Sequence, residues 1–186
     1  MELKEAHLRR GLRQLLAQAP VLEAPVGMGQ AEELFDELRV DHERGINPRQ
    51  LVIHTQLIEE LLLLAHANGS FEDWRLRQQL AQAATEVRLF QLHNWRSLTR
   101  LSKGEAPGPE GSALKLYWSE MSKRLHQTAL DVLGTASPLW EGAPGNPDDG
   151  AWQRSWLYYQ ASSIFAGTNE IQRTLVGERV LGLPRG

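Results

Sequence analysis

Residues 112–134 read SALKLYWSEMSKRLHQTALDVLG, and their apolar side chains recur at steps of three and four residues. Because an α-helix turns once every 3.6 residues, this spacing places the apolar side chains on one helical face. Ser112 is placed to cap the start of this helix with its hydroxyl oxygen. The stretch therefore predicts an amphipathic helix that buries one face against other helices. The shared face consists of Leu114, Tyr117, Trp118, Met121, Leu125, Ala129 and Val132.

Three further helical regions are predicted around this one. Pro48 to Ala67 is strongly helical and is followed by Asn68-Gly69, a helix stop signal. A second region runs from about Phe71 to Leu101, and a last one from about Ala151 to Leu181 with an interruption at Ala166-Gly167. The apolar stripes are Leu51, Thr55, Ile58, Leu62 and Ala65 in the first region, and Leu80, Ala84, Val87, Gln91, Trp95, Leu98 and Leu101 in the second.

Glycine and proline mark the connections between these regions. Residues 104–111 and 134–150 are predicted loops on composition. At the N-terminus, residues 2–19 read as a helix, prolines and glycines break the chain over 20–29, and a helical region restarts near Ala31 with a pause around 45–48. No strand pattern of useful length occurs in the sequence. We therefore predict an all-α fold: an up-and-down four-helix bundle over residues 31–186, preceded by an N-terminal helical arm over residues 1–30.

Composition excludes several classes of function. The 186 residues carry 20 basic and 23 acidic side chains, a net charge of −3, which gives no electrostatic footprint for nucleic acid. No window reaches the roughly 18 uninterrupted apolar residues of a membrane span. Cysteine is absent, so disulfides, thiol nucleophiles and thiolate metal sites are excluded. A cytoplasmic protein is the default expectation.

The segment Gly167-Thr-Asn-Glu-Ile-Gln-Arg173 carries polar side chains at a helix start. Gly167 allows a sharp turn or a positive φ. Either Thr168 or Asn169 can cap the helix, and Asn169 with Gln172 resembles a capping box. Such a start offers free N–H groups to a phosphate or a flavin oxygen. These seven residues alone fit an ordinary helix N-terminus at least as well.

A wider set of motifs is more specific. The terminal GTNEIQR…GERVLGLPR (167–185) resembles the C-terminal signature of the acyl-CoA dehydrogenases. PGPEGSALKLYWSEMSKRLHQTALDVLG (107–134) resembles the third helix of that family's C-terminal bundle, in the bacterial branch. RLRQQLAQ (75–82) and DHERGINPRQL (41–51) resemble two other helix starts of the bundle. The resemblance covers about residues 35–186.

The resemblance implies a flavoprotein of fatty acid metabolism. These enzymes oxidise an acyl-CoA to the trans-2-enoyl-CoA: a carboxylate removes the α-proton while the β-hydrogen leaves as hydride to FAD. Thr168, Asn169 and Glu170 match the family segment that contacts FAD. The resemblance also implies that Gly167 and Arg44 bind the acyl-CoA substrate.

Position 166 departs from the family pattern. Most members carry the catalytic glutamate immediately before Gly-Thr, where this chain has Ala166. A minority branch places its base on the first bundle helix in a Glu-Arg pair, which Glu43-Arg44 matches here. Glu43 is therefore the candidate base, and the alternative is a solvent-exposed carboxylate in a charged run.

The resemblance leaves the chain's mode of action open. A complete member is about twice as long, with an N-terminal helical domain and a middle β-domain, and two further flavin motifs of the family are absent here. Three interpretations follow. The chain is the C-terminal domain of an FAD-dependent acyl-CoA dehydrogenase that is inactive alone, or a non-catalytic subunit or remnant that acts as an interaction module for a full-length dehydrogenase, or a fragment of a longer enzyme. We expect a homo-oligomer or a complex with another dehydrogenase subunit.

The histidines and tryptophans carry no further motif. The six histidines lack metal-ligand spacing, so we predict no metal site and place them on the surface or at helix flanks. The six tryptophans are assigned to core packing, whereas an exposed subset would mark an interface with another domain or subunit.

Overall fold

The computed structural model describes residues 48–105, 108 and 110–185, with side chains from residue 53 onward. These residues lie within one compact unit, Asp41–Gly186. They form five α-helices and no β-strand, so the all-α prediction is confirmed. The helices are α1 (Pro48–Ala67), α2 (Trp74–Ser102), α3 (Glu110–Leu133), α4 (Ala151–Gln160) and α5 (Asn169–Arg179). Short 3₁₀ helices occupy Ser70–Glu72, Gly134–Ala136, Pro147–Gly150 and Ala161–Ser163.

Side-chain pairs between helices fix the direction of each one. Gln79, early in α2, donates to Asp131, late in α3, at 3.2 Å, so these two helices run antiparallel. His54, early in α1, contacts Ser122 in the middle of α3 at 3.1 Å. Asn68, just after α1, donates to the carbonyl of Val132 near the end of α3 at 2.8 Å. Helices α1 and α3 are therefore parallel, as the first and third helices of an up-and-down bundle must be.

The fourth helix runs antiparallel to α3 and completes the bundle. Trp156 Nε1 donates to Gln127 at 3.0 Å. Ser162, just after α4, donates to the carbonyl of Ser119, an earlier residue of α3, at 3.2 Å. Helix α5 then packs against the first half of α3 through Asn169. The predicted four-helix bundle is thus α1 to α4, and α5 is an additional short helix laid on α3.

The core includes residues from each of the three apolar stripes that the sequence predicts. Leu61 and Met121 are fully buried and Phe90 is 1% exposed. Helix α2 begins at Trp74, where the Asp73 side chain accepts from Arg75 N. Helix α3 begins at Glu110 rather than at the predicted cap Ser112. The core residues are Ile58, Leu61, Ala65, Leu80, Ala83, Val87, Phe90, Leu114, Met121, Leu125, Ala129, Val132, Leu133 and Trp152.

The early start of α3 has an electrostatic reason. Glu110 lies in the first turn, where the positive end of the helix dipole favours a carboxylate. The guanidinium of Arg100 in α2 pairs with that carboxylate and also with Glu105. The prediction that Ser112 caps the helix is therefore wrong, because an ion pair secures the first turn two residues earlier.

The histidine prediction is also wrong for two residues. His54 and His126 are fully buried between the helices, where Ser122 satisfies one nitrogen of each ring. Core packing of the tryptophans is confirmed for Trp152. It is wrong for Trp74 and Trp140, which are exposed.

Several predictions fall on residues outside the described part. These are the N-terminal helical arm over 1–30, the helical region from Ala31, and the candidate residues Glu43 and Arg44. Among the helices that the structure describes, none combines the length and apolar character needed to cross a bilayer.

Candidate functional site

The chain reverses direction between α4 and α5 through a tight turn. The 3₁₀ helix Ala161–Ser163 follows α4, and Ala166 and Gly167 then take positive φ angles of 51° and 90°. The positive φ predicted for Gly167 is confirmed. A Cβ on Gly167 would lie 3.0 Å from the side-chain nitrogen Nε2 of Gln172. Ala166 occupies the left-handed region although it carries a Cβ, a conformation uncommon for residues other than glycine.

Thr168 caps the helix that follows this turn. Its Oγ1 accepts a hydrogen bond from Ile171 N at 3.4 Å. Gln172 Nε2 donates to the Ala166 carbonyl at 3.0 Å. Of the two predicted caps, Thr168 is therefore the one formed. The capping box of Asn169 and Gln172 is wrong, because the Gln172 side chain reaches past Asn169 to the turn.

The Asn169 side chain faces the protein interior and is held by α3. Lys115 Nζ and Ser119 Oγ each lie 2.9 Å from Asn169 Oδ1 and donate to it. Asn169 Nδ2 donates to Glu120 Oε1 at 2.6 Å. The residue is 2% exposed, so its amide is committed to α3. The cofactor contact of Asn169 stays a prediction.

Glu170 points to solvent and stays ionised. Its own backbone N–H and the Thr168 hydroxyl bond the carboxylate, and these contacts hold the pKa of Glu170 below its usual value. The positive charges of Arg173, at 3.6 Å, and of Lys115 act in the same direction. Thr168 and Glu170 thus present a hydroxyl and a carboxylate beside the N-terminus of α5.

Apolar side chains adjoin this polar turn. Ile164 is 66% exposed and Phe165 38% exposed, immediately before Ala166. Leu157 and Tyr158 of α4 are exposed as well, and the rings of Tyr158 and Phe165 lie 5.5 Å apart. We name these four residues the α4–α5 apolar surface. Exposed clusters of this kind mark ligand or protein contacts more often than single exposed residues do.

The turn supplies no proton acceptor at position 166. The methyl group of Ala166 is exposed to solvent at the place where the resemblance implies a carboxylate. The structure brings Gly167, Thr168, Asn169 and Glu170 together in one turn. The roles of Glu43 and Arg44 stay predictions, because both lie outside the described residues.

Sequence reasoning missed the three α3 residues that hold the turn. Helical periodicity alone treats Lys115, Ser119 and Glu120 as polar positions of an amphipathic helix. In the structure Lys115 is only 7% exposed and Ser119 is fully buried. The one available signal was that Lys115 directly follows Leu114 of the apolar face. That signal is weak, since lysine commonly lays its apolar stem along such a face.

A second polar cluster lies inside the bundle. His126 Nδ1 is 2.7 Å from the Ser122 carbonyl, and the ring stacks on Tyr159 with centroids 4.2 Å apart. The pKa of His126 is lowered to about 4, chiefly by burial; the bond to the Ser122 carbonyl opposes this shift, and the neighbouring His54 adds to it. This cluster is sealed from solvent and joins the helices to one another.

The buried histidine predicts acid sensitivity. In the unfolded chain a histidine has its ordinary pKa of about 6.5, so between about pH 6.5 and pH 4 the unfolded state binds more protons than the folded state. We expect the free energy of unfolding to fall by about 3 kcal/mol over this range because of His126 alone. Urea unfolding measured at several pH values checks this.

A matched pair of variants isolates the contribution of His126. The His126→Gln variant should lose most of this pH dependence, whereas the same substitution at the exposed His93 should keep it. Equal pH dependence in both variants would show that other groups cause the acid sensitivity.

Metal binding finds no support in the described part of the chain. No three histidine, cysteine, aspartate or glutamate side chains there converge to hold an ion.

Comparison with known proteins matches most of the described residues to one family. Residues 27–181 match the family model "Acyl-CoA dehydrogenase, C-terminal domain". Acyl-CoA dehydrogenase IpdE1 of Mycobacterium tuberculosis is 33% identical over 144 residues, which are 77% of this chain and 36% of that protein. IpdE1 of Mycolicibacterium smegmatis is also 33% identical over 144 residues, 34% of its length.

Solved structures of similar fold are found as well. The Tcur3481-Tcur3483 steroid ACAD superposes with a TM-score of 0.67 and 26% identity over 72% of this chain and 35% of that one. The ChsE4-ChsE5 complex of Mycobacterium tuberculosis has the same fold, with a TM-score of 0.61 and 23% identity over 82% of this chain and 40% of that one. The chain spans about a third of the length of the curated relatives it matches.

Proposed function

Because the chain belongs to the acyl-CoA dehydrogenase family, whose C-terminal domain it contains, we propose that it supplies the helical domain of an FAD-dependent acyl-CoA dehydrogenase. The reaction is the α,β-dehydrogenation of an acyl-CoA thioester to the enoyl-CoA. In this proposal the chain acts together with a further dehydrogenase chain and has no turnover by itself. The observation that carries the proposal is the turn at 166–170, which offers ligand contacts but no base.

The groups at this turn fit a flavin cofactor by their chemistry. The first N–H groups of α5 suit an oxygen acceptor such as a flavin carbonyl or a phosphate. The ionised carboxylate of Glu170 suits hydroxyl donors such as those of ribityl or ribose. Gly167 leaves room for close approach, since it carries no Cβ beside the Gln172 amide. The exposed rings of Tyr158 and Phe165 offer apolar contact nearby.

The chain's own residues would bind and orient rather than abstract the proton. Bound FAD supplies the hydride acceptor of the reaction. Thr168 and Glu170 hold the cofactor side of the site, and the Asn169 amide fixes their position on α3. Gly167 and Arg44 belong to the substrate side. The α-proton would go to the carboxylate of Glu43, because Ala166 has no group to accept it.

A partner chain is supported by the exposed apolar residues and by the structural relatives. The α4–α5 apolar surface and the exposed Trp74 and Trp140 leave large hydrophobic area uncovered. The name of the Tcur3481-Tcur3483 steroid ACAD joins two components. We propose that this chain likewise assembles with another acyl-CoA dehydrogenase subunit, which contributes the remaining cofactor and thioester contacts.

A second candidate function is a non-catalytic interaction module. Ala166 favours it, because a module that only stabilises a full-length dehydrogenase needs no base of its own. The two functions differ in whether the turn at 166–170 touches the cofactor of the assembled enzyme.

The proposal predicts that flavin binds only to an assembly. We expect the purified chain alone to be helical and to retain no flavin after gel filtration with added FAD. Co-expressed with a full-length dehydrogenase subunit from the same source, it should elute in a larger complex that carries the visible flavin absorbance. Turnover should then be assayed with a panel of acyl-CoA substrates that includes a steroid-derived acyl-CoA.

The outcomes separate the candidate functions. Flavin that co-elutes with a self-associated form of this chain would replace the heteromeric proposal with a homo-oligomeric site. A flavin-loaded complex whose FAD affinity is unchanged by Thr168→Ala and Glu170→Ala together would favour the interaction module. The same double change at the exposed Thr99 and Glu72 is the matched control.

A further inference from the structure

The first turn of helix α5 is attached to α3 through polar contacts of Asn169. Only Asn169 and Gln172 are buried among the eleven residues of α5. A helix of this length is marginal in water unless packing holds it, because helices shorter than about 12–15 residues rarely persist alone. The polar contacts of its first turn therefore decide where α5 begins and how the preceding turn is shaped.

A buried cation lies at the centre of these contacts. Lys115 is 7% exposed, and its ammonium donates to Asn169 Oδ1 at 2.9 Å. Burial lowers the pKa of Lys115, while the charges of Glu170 and Glu120 oppose that effect. A hydrogen bond from a charged donor is stronger than one between neutral groups, so Lys115 is the principal tether of the Asn169 amide.

The tether extends to both sides of the turn. Ser119 Oγ donates to the same Asn169 oxygen, and the Ser119 carbonyl accepts from Ser162 at the end of α4. Lys115 and Ser119 of α3 thus hold Ser162 before residues 164–168 and Asn169 after them. Gln172 completes the arrangement by its bond to the Ala166 carbonyl.

We propose that Lys115 is a positioning residue that holds the N-terminus of α5 on α3 and thereby presents Thr168 and Glu170 to the cofactor. The inference rests on the proposed function for the identity of the ligand. The tether itself is a property of this chain and can be measured without any cofactor. Lys115 touches Asn169 and acts on the site only through it.

Hydrogen–deuterium exchange of the chain alone tests the tether. Lys115→Met removes the ammonium and keeps a long apolar side chain. We expect the hydrogen-bonded amides of α5, from Gln172 onward, to exchange about tenfold faster or more, as the loss of one charge-assisted hydrogen bond implies. Amides in the middle of α2, around Phe90, should exchange as in the unmodified chain. Lys103→Met at the exposed end of α2 is the matched control and should change neither region.

Ser119→Ala is a milder second variant that removes one donor and keeps the lysine. It should accelerate the same α5 amides by a smaller factor, which keeps the test usable if Lys115→Met fails to fold. Unchanged exchange in α5, or equal acceleration in α5 and α2, would overturn the proposal. The complex with the partner subunit should also bind FAD at least about tenfold more weakly in Lys115→Met.

The two proposals fail in different ways. A complex that never binds flavin would reject the proposed function and leave the exchange result for Lys115 standing. Exchange that accelerates equally in both regions would reject the positioning role while leaving flavin binding intact.

Discussion

Replacing Glu43 with glutamine is expected to abolish acyl-CoA dehydrogenation by the assembled enzyme while FAD stays bound. Glutamine keeps the shape of the side chain but accepts no proton at neutral pH. A positioned general base contributes about 10²- to 10⁴-fold to the rate, so the loss should be at least about a hundredfold. Turnover of the complex with an electron acceptor dye, and its flavin absorbance, are the two measurements.

The matched control for this variant is Glu60→Gln, an exposed glutamate of α1. It should leave turnover unchanged. Retained turnover in Glu43→Gln would rule out the assignment of the base and would move the search to the partner chain.

A double variant tests whether positions 43 and 166 serve the same substrate carbon. Adding Ala166→Glu to Glu43→Gln restores a carboxylate at the turn, where the backbone already holds a positive φ with a Cβ present. Partial recovery of turnover would support convergence of the two positions. No recovery, with flavin bound, would mean that a carboxylate at 166 does not reach the α-carbon in this assembly.

Phe90→Ala is expected to destabilise the bundle by about 3–5 kcal/mol. Phe90 is 1% exposed in the middle of α2, and its ring meets His54 edge to face with centroids 5.6 Å apart. Alanine would remove the ring and leave a cavity between α1 and α2 that neighbouring side chains fill only partly. Urea unfolding at neutral pH measures the change.

Leu89→Ala provides a control on the same helix. Leu89 precedes Phe90 but is 44% exposed, so its truncation should cost less than about 1 kcal/mol. If the two variants lost similar amounts of stability, the described core would not be the source of the bundle's stability.

The contacts at the turn connect stability with the proposed chemistry. Ser119 and Lys115 lie on the helix that supplies Met121 and Leu125 to the core, so the packing of α3 fixes the groups that hold α5. A core variant that loosens α3 should therefore weaken cofactor contacts as well as the fold. The side chains of the α4–α5 apolar surface stay partly exposed among the described residues, and we propose that a partner covers them.

Much of the fold could be predicted from the sequence. The helical period of residues 112–134, the stop at Asn68-Gly69 and the break at Ala166-Gly167 depend on each residue's near neighbours, and all three agree with the structure. Local signals were less reliable for helix starts. The sequence predicts that Ser112 caps α3, but α3 starts earlier, where Glu110 pairs with Arg100. That ion pair joins two helices, so it does not follow from the residues next to Ser112.

The sequence by itself determined that this chain forms a helical bundle of the acyl-CoA dehydrogenase type, that its terminal segment begins a helix after a tight turn, and that position 166 carries no carboxylate. Tertiary structure alone decided which polar groups meet. Lys115 and Asn169 are 54 residues apart, and His54 and Ser122 are 68 apart. Periodicity predicts that a helix buries a face, because that depends on residues within two turns. It does not predict the partner of a buried lysine or histidine, because that depends on how two separate helices are rotated and aligned against each other.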